Sequence, residues 1–317
     1  MAWPEMISPG QPGIKRNLNG DVMSVHGVFN YQKPAVERTL VRNGKLYTHR
    51  DLRGSDDKIY GAQWSNEEVV VRNARLEEPF QLDVQGFELH KFPTNMAYSE
   101  FFLEDNILNR YHAEIIELVK KATGAKYVIP FDHNIRSATG KASEKEIQGG
   151  AKVQSPGGLV HNDYTLTGGP LRFEQLAQPP KVNDSIQKEG MKPAIPEVRT
   201  ADQVGRWRER VQSSGWAIIN AWRNIREKPV EVYPFALMDA RTASEKDLCV
   251  FEIHYKDRIG ENYFAASSPD HRWSPGWLHG GPRANFTLHS AFKDPSSPEE
   301  GEDRVSCEVR CVCVWEE

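Results

Sequence analysis

Apolar and polar residues alternate in short runs along most of the chain, and the runs stop at glycine, proline, asparagine or aspartate. A period of two marks strands, and punctuation this dense marks turns. The pattern predicts strands over 22–31, 39–48, 67–72 and 87–92. Asn43-Gly44 sits between Leu40-Val41 and Leu46-Tyr47 and reads as the two-residue turn of a hairpin. The period then lengthens. Ile107, Tyr111, Ile115, Leu118 and Val119 recur at three- and four-residue steps and predict the main helix, which ends near Gly124. A short strand follows at 127–130, and a short helix is expected near 202–212. Strands are then predicted at 216–222, 230–238, 248–254, 262–266, 284–288 and 304–315. Polar loops at 136–158 and 169–200 flank the dipeptide-spaced pair His161 and Asp163.

Many strands with one strong helix upstream predict a mainly β fold with flanking helices, built on a double-stranded β-helix (jelly roll, cupin-like) core. The expected organisation is a single domain over 1–317. Within it, 1–20 form an irregular N-terminal arm and 21–95 a β extension that is a candidate lid. Residues 96–317 carry the helix and the core.

Composition narrows the partners. With 40 basic and 44 acidic residues the net charge is −4, which argues against nucleic acid or an anionic membrane surface. A small-molecule substrate is expected instead, with a homodimer left open. There is no apolar run long enough to span a bilayer and no leader-like start, so a cytoplasmic location is expected. Three of the four cysteines fall at 307, 311 and 313, on one face of a strand. A soft-metal site is conceivable there, but buried free thiols on a late strand are the expectation.

The chemistry starts from His161-x-Asp163. Residues i and i+2 on a strand share a face, so an imidazole and a carboxylate at that spacing can meet one ion. The spacing alone is weak: 10 His and 16 Asp in 317 residues give roughly 0.5 such pairs by chance. A decoy exists at His49-x-Asp51, and His112-x-Glu114 lies inside the helix. A two-His-one-carboxylate iron site needs a later histidine. The candidates are His254, His271, His279 and His289, and His289 is followed by a well-placed arginine, Arg304, 15 positions on (304 − 289). Ser306 comes two residues later on the same strand face. A guanidinium fork beside a hydroxyl suits the distal carboxylate of 2-oxoglutarate. Arg310, on that face too, is the reserve choice.

Several phrases strengthen this reading together: His161-Asn162-Asp163-Tyr164-Thr165, Ile219-Asn220-Ala221-Trp222-Arg223, and Ala236-Leu237-Met238-Asp239-Ala240-Arg241. His271-Arg272-Trp273, Thr287-Leu288-His289-Ser290-Ala291-Phe292-Lys293-Asp294-Pro295 and the upstream Phe131-Asp132-His133-Asn134-Ile135-Arg136 complete the set. In order and spacing they resemble the asaB-type hydroxylase/desaturase family (CmcJ-like) of fungal natural-product biosynthesis, over roughly residues 85–315. The resemblance implies a non-haem dioxygenase using Fe(II), 2-oxoglutarate and O2. It implies His161, Asp163 and His289 as iron ligands, with Arg304 and Ser306 on 2-oxoglutarate. Arg136, Asn220, Arg223 and Tyr164 are the pocket candidates. One departure stands out: only 15 residues, rich in glycine and proline, separate Trp273 from His289. Two other classes share the ligand pattern: a Zn(II)-dependent cupin-like hydrolase, and a non-catalytic β-roll binding module.

Overall fold

The computed structural model describes residues 13–51, 58–76, 79–176, 215–273 and 286–315. Twelve strands among these residues form three sheets. An N-terminal sheet has the order β1-β2-β4, from Lys15–Arg16, Val22–Gln32 and Trp64–Arg72. The largest sheet has six strands in the order β3-β9-β10-β6-β11-β8: Tyr47–His49, Leu248–His254, Ile259–Ala265, His161–Asn162, His289–Ala291 and Phe235–Leu237. A three-stranded sheet, β5-β12-β7, comprises Tyr127–Arg136, Ser306–Val314 and Trp216–Asn224. This is the mainly β, jelly-roll architecture the alternating pattern predicts.

Strand β12 explains how the site is walled. All nine of its residues are buried, because β5 and β7 pair with it on either edge and both of its faces are covered. One face presents Cys307, Val309, Cys311 and Cys313 to the helix His112–Thr123, through Ile115 and Val119. These cysteines are therefore packed hydrophobes, and burial raises their thiol pKa values. The other face carries Ser306, Glu308 and Arg310 and looks toward the six-stranded sheet: Arg310 reaches Asp163, just past β6. The helix stops where expected, with Gly124 at φ +68° and its N–H bonded to the Lys120 carbonyl.

Several expectations need correction. The 39–48 segment does turn at Gly44, at φ +68°, but its arms do not pair with each other. Thr39 bridges Cys249, and β3 runs parallel to β9, so both arms lean on one buried strand. Residues 87–92 are not a strand. Gly86 caps a short turn of helix in the left-handed region, and Phe87 folds back onto Phe80. Ser137 caps a short helix, Ala138–Ala142, inside the expected 136–158 loop. Gly168–Leu176 is helical within the second expected loop, whose remainder lies outside the described residues, as does the expected 202–212 helix. The Gly/Pro-rich stretch after Trp273 falls outside them too, apart from 286–288. The N-terminal β region contributes Val25, Phe29, Tyr31 and Val71 to a core cluster. Phe29 is fully buried between Trp273 and Phe292, with ring centroids at 4.1 and 5.0 Å. Among the described residues, no helix is long and apolar enough to cross a membrane.

Candidate metal centre and co-substrate pocket

Strand pairing brings the two histidines together. β6 and β11 are antiparallel neighbours, and His161 and His289 are direct partners in that register, so their rings lie 4.4 Å apart. Asp163, two residues beyond His161, comes to the same point, with Oδ1 3.7 Å from His161 Nε2. Ligand atoms of His161, Asp163 and His289 all lie within 4.8 Å of one another, a spacing that can hold a metal ion.

The surroundings prepare each ligand. His161 Nδ1 donates to the Leu159 carbonyl at 2.6 Å, and His289 Nδ1 approaches the Thr287 carbonyl at 3.3 Å. A carbonyl can only accept, so each Nδ1 carries a proton and Nε2 is the nitrogen left to face a metal. Burial, reinforced by His289 and opposed by Asp163, pushes the His161 imidazole down to about 3, so it stays neutral as a ligand must be. Burial alone would raise the Asp163 carboxyl, but the charge and hydrogen bond of Arg310 outweigh it and hold it well below the usual carboxylate range. Its Oδ2 accepts from Asn220 Nδ2 at 2.7 Å and Arg310 Nε at 3.0 Å, which leaves Oδ1 toward the histidines. Gly157 lies against His161, where a Cβ would sit 3.2 Å from the ring carbon Cε1.

The co-substrate candidates divide. Arg304 is 2% exposed; Nη1 donates to the Tyr233 carbonyl at 2.8 Å, and Nε has no hydrogen-bond partner. Ser306 is fully buried and its hydroxyl is also without a partner. A buried donor without an acceptor is costly unless a ligand supplies one. Arg310 is different: besides Asp163 it binds Asp132 at 2.7 Å and Glu308 at 3.1 Å, so its donors are spoken for. The reserve choice is thus an anchor for the Asp163 carboxylate.

Of the pocket candidates, Asn220 and Tyr164 line the cleft beside Asp163 and His289. Arg136 lies at the Ser306 register position and contacts Glu308 through Nε at 3.2 Å. Arg223 points the other way, giving Nε to Tyr111 and Nη2 to the Phe92 carbonyl beneath the helix. Alternation along β7 already separates it from Asn220 and Trp222. Glu308, Trp222 and Phe235 were not singled out from sequence, although Glu308 follows from the two-residue step through Ser306. Trp222 stacks on Phe235 at 5.0 Å, and Phe235 lies 5.5 Å from His289, which makes an aromatic wall beside the metal position.

The other histidines are elsewhere. His49 and His254 meet edge to face at the β3 edge of the large sheet, and His254 pairs with Glu252. His271 is buried between Asp247 and Tyr31. His279 lies outside the described residues. His112 packs against His133 in the core.

The chain is similar to several known proteins. Hydroxylase/desaturase efuI of Hormonema carpetanum is 29% identical, over 90% of this chain and 97% of its own length. Alpha-ketoglutarate-dependent dioxygenase tstK of Talaromyces stipitatus is 26% identical, over 98% and 97%. The solved structure of the iron and alpha-ketoglutarate-dependent endoperoxidase NvfI superposes with a TM-score of 0.65 at 19% identity. It covers 93% of this chain and 99% of that one, and so shares the fold. A family model described as an oxidoreductase/YMDC permease-like domain matches residues 29–275, which include His161 and Asp163 and stop short of His289. A match over most of the chain settles the lineage: this chain belongs to the oxidoreductase/YMDC permease-like domain family, among the asaB-type hydroxylase/desaturase relatives that its sequence phrases resemble.

Proposed function

We propose that the chain is a non-haem Fe(II)- and 2-oxoglutarate-dependent dioxygenase that oxidises a C–H bond of a small natural-product intermediate, with release of succinate and CO2. The observation that carries this is the His161–Asp163–His289 cluster, together with a buried Arg304 and Ser306 whose Nε and Oγ lack acceptors. Two imidazoles and one carboxylate suit Fe(II) and leave positions open for co-substrate and O2. Arg304 Nε and Ser306 Oγ, buried without acceptors, suit the distal carboxylate of a 2-oxo dicarboxylic acid. The dioxygenase and hydroxylase/desaturase names of the relatives fit the same class. Hydroxylation, desaturation and oxidative cyclisation are all within its reach. A zinc hydrolase or a bare binding module would have no use for the Arg304–Ser306 pair.

The metal, once bound, supplies the oxidising chemistry with 2-oxoglutarate and O2. The residues do the rest. His161 and His289 present Nε2, fixed by their Nδ1 contacts to backbone carbonyls. Asn220 and Arg310 hold Asp163 through one oxygen, so it offers the other. Trp222 and Phe235 line the cleft beside the metal position and keep water from that side. Mixing the protein with Fe(II) and 2-oxoglutarate under anaerobic conditions should produce a weak visible charge-transfer band. Wild-type protein that binds Fe(II) but gives no band with 2-oxoglutarate rules the reading out.

A further inference from the structure

The inner face of the β5-β12-β7 sheet is crowded with charge for so buried a surface. Arg136 and Arg310 meet there at Glu308, and Arg304, just before β12, lies over the Trp222 ring at 5.6 Å. Arg310 is bound by Asp163, Asp132 and Glu308. Arg136 is bound by Glu308 and also donates to the Ser155 carbonyl at 3.1 Å. Glu308, itself 7% exposed, therefore serves two arginines at once and accepts from Asn220 Nδ2 at 3.1 Å as well. Arg304 has no carboxylate contact among the described residues; its hydrogen bond goes to a neutral carbonyl.

Position matters as much as pairing. Ser306, Glu308 and Arg310 follow one another on the same face of β12, each step spanning about 7 Å. Arg310 marks the metal end through Asp163, Ser306 marks the Arg304 end, and Glu308 stands between them.

We propose that Glu308 is a specificity-determining residue of the co-substrate pocket. By occupying Arg136 and the outer nitrogen of Arg310, it leaves Arg304 as the guanidinium available to a distal carboxylate. It thereby sets the length of the 2-oxo acid that fits. A 2-oxo acid chelating the metal must then pass Glu308 before its second carboxylate meets a free cation. A shorter acid stops beside a carboxylate whose cations are already taken. The inference rests on the 2-oxoglutarate reading above.

The test is calorimetric titration of the full chain, loaded with redox-inert Mn(II), with 2-oxoglutarate, oxaloacetate and 2-oxoadipate. Wild type should prefer the five-carbon acid. Glu308→Gln removes one negative charge while Arg310 keeps Asp163 and Asp132. It should tighten oxaloacetate and shrink the five- over four-carbon preference by about tenfold or more. Arg136→Gln should act in the opposite sense, because it leaves Glu308 less neutralised: all three acids weaken and the length preference persists. It decides the matter alone should Glu308→Gln not fold. If wild type binds none of the acids, the underlying reading falls and this inference with it. If wild type binds 2-oxoglutarate and Glu308→Gln keeps the preference within about twofold, or Arg136→Gln tightens the acids, this inference alone is overturned.

Discussion

Replacing Arg304 with methionine separates the two jobs a buried arginine can have. Its side chain is 2% exposed, makes one hydrogen bond to the Tyr233 carbonyl, and lies 5.6 Å from the Trp222 ring. Burial, with Arg136 adding and Glu308 opposing, lowers its pKa from 12.5 to about 10. That drop corresponds to roughly 3 kcal/mol of unfavourable free energy for holding the charge in the folded protein. Against it stand the carbonyl bond, about 1.5–3 kcal/mol, and the aromatic contact, about 0.5–2 kcal/mol. These terms nearly cancel, so ligand-free Arg304→Met should keep its stability to within about 1–2 kcal/mol. Co-substrate binding has no such compensation. Two charge-assisted bonds at about 1.5–3 kcal/mol each put the loss at about 10²- to 10⁴-fold in 2-oxoglutarate affinity. Thermal unfolding without ligands and calorimetric titration of the Mn(II)-loaded protein measure the two sides separately. A variant that melts far lower yet binds 2-oxoglutarate as well as wild type would make Arg304 a structural residue and refute the reasoning.

Asn220→Ala removes one of the two donors on Asp163 Oδ2 without changing charge, and should weaken Fe(II) binding by about 10- to 100-fold in an anaerobic metal titration. His112 titrates differently in the two states: burial, then His133, push it down to about 3 in the folded protein against an opposing Asp132. Above pH 6.5 it is neutral in both states; below that only the unfolded chain takes up the proton, so stability falls as pH drops from 6.5 toward 3. His112→Gln should recover about 2 kcal/mol of the loss between pH 7 and pH 5, read from urea unfolding at the two pH values. Phe29→Ala empties a fully buried site between Trp273 and Phe292 and should cost about 3–5 kcal/mol in the same unfolding assay.

The strands that proved easiest to read were those whose burial differs sharply between faces or runs unbroken. Leu248–His254 matches the predicted span, and β12 differs by two residues at its start and one at its end. The Asn43-Gly44 turn was legible, but the partner of its arms was not, because parallel pairing to β9 is a long-range choice that no local period encodes. Phe87–Phe92 has strand-like composition, yet the chain spends its aromatic residue on Phe80 rather than on a ladder. At the site, the i, i+2 rule placed His161 with Asp163 and Ser306 with Arg310. What it could not supply was pairing: that Arg310 would be taken by three carboxylates while Arg304 kept an unmet donor depends on which strands face each other. Arg223 shows the opposite lesson, since alternation from Asn220 would have turned it away from the metal.

The proposed function requires one metal held by His161, Asp163 and His289. The direct measurement is the amount of Fe(II) retained after anaerobic loading and desalting, compared with His161→Ala, Asp163→Ala and His289→Ala at the same protein concentration. A single equivalent in wild type, lost in each variant while all four proteins remain folded, is the predicted result. Full retention in His289→Ala, the ligand beyond the 29–275 family match, would contradict the assignment.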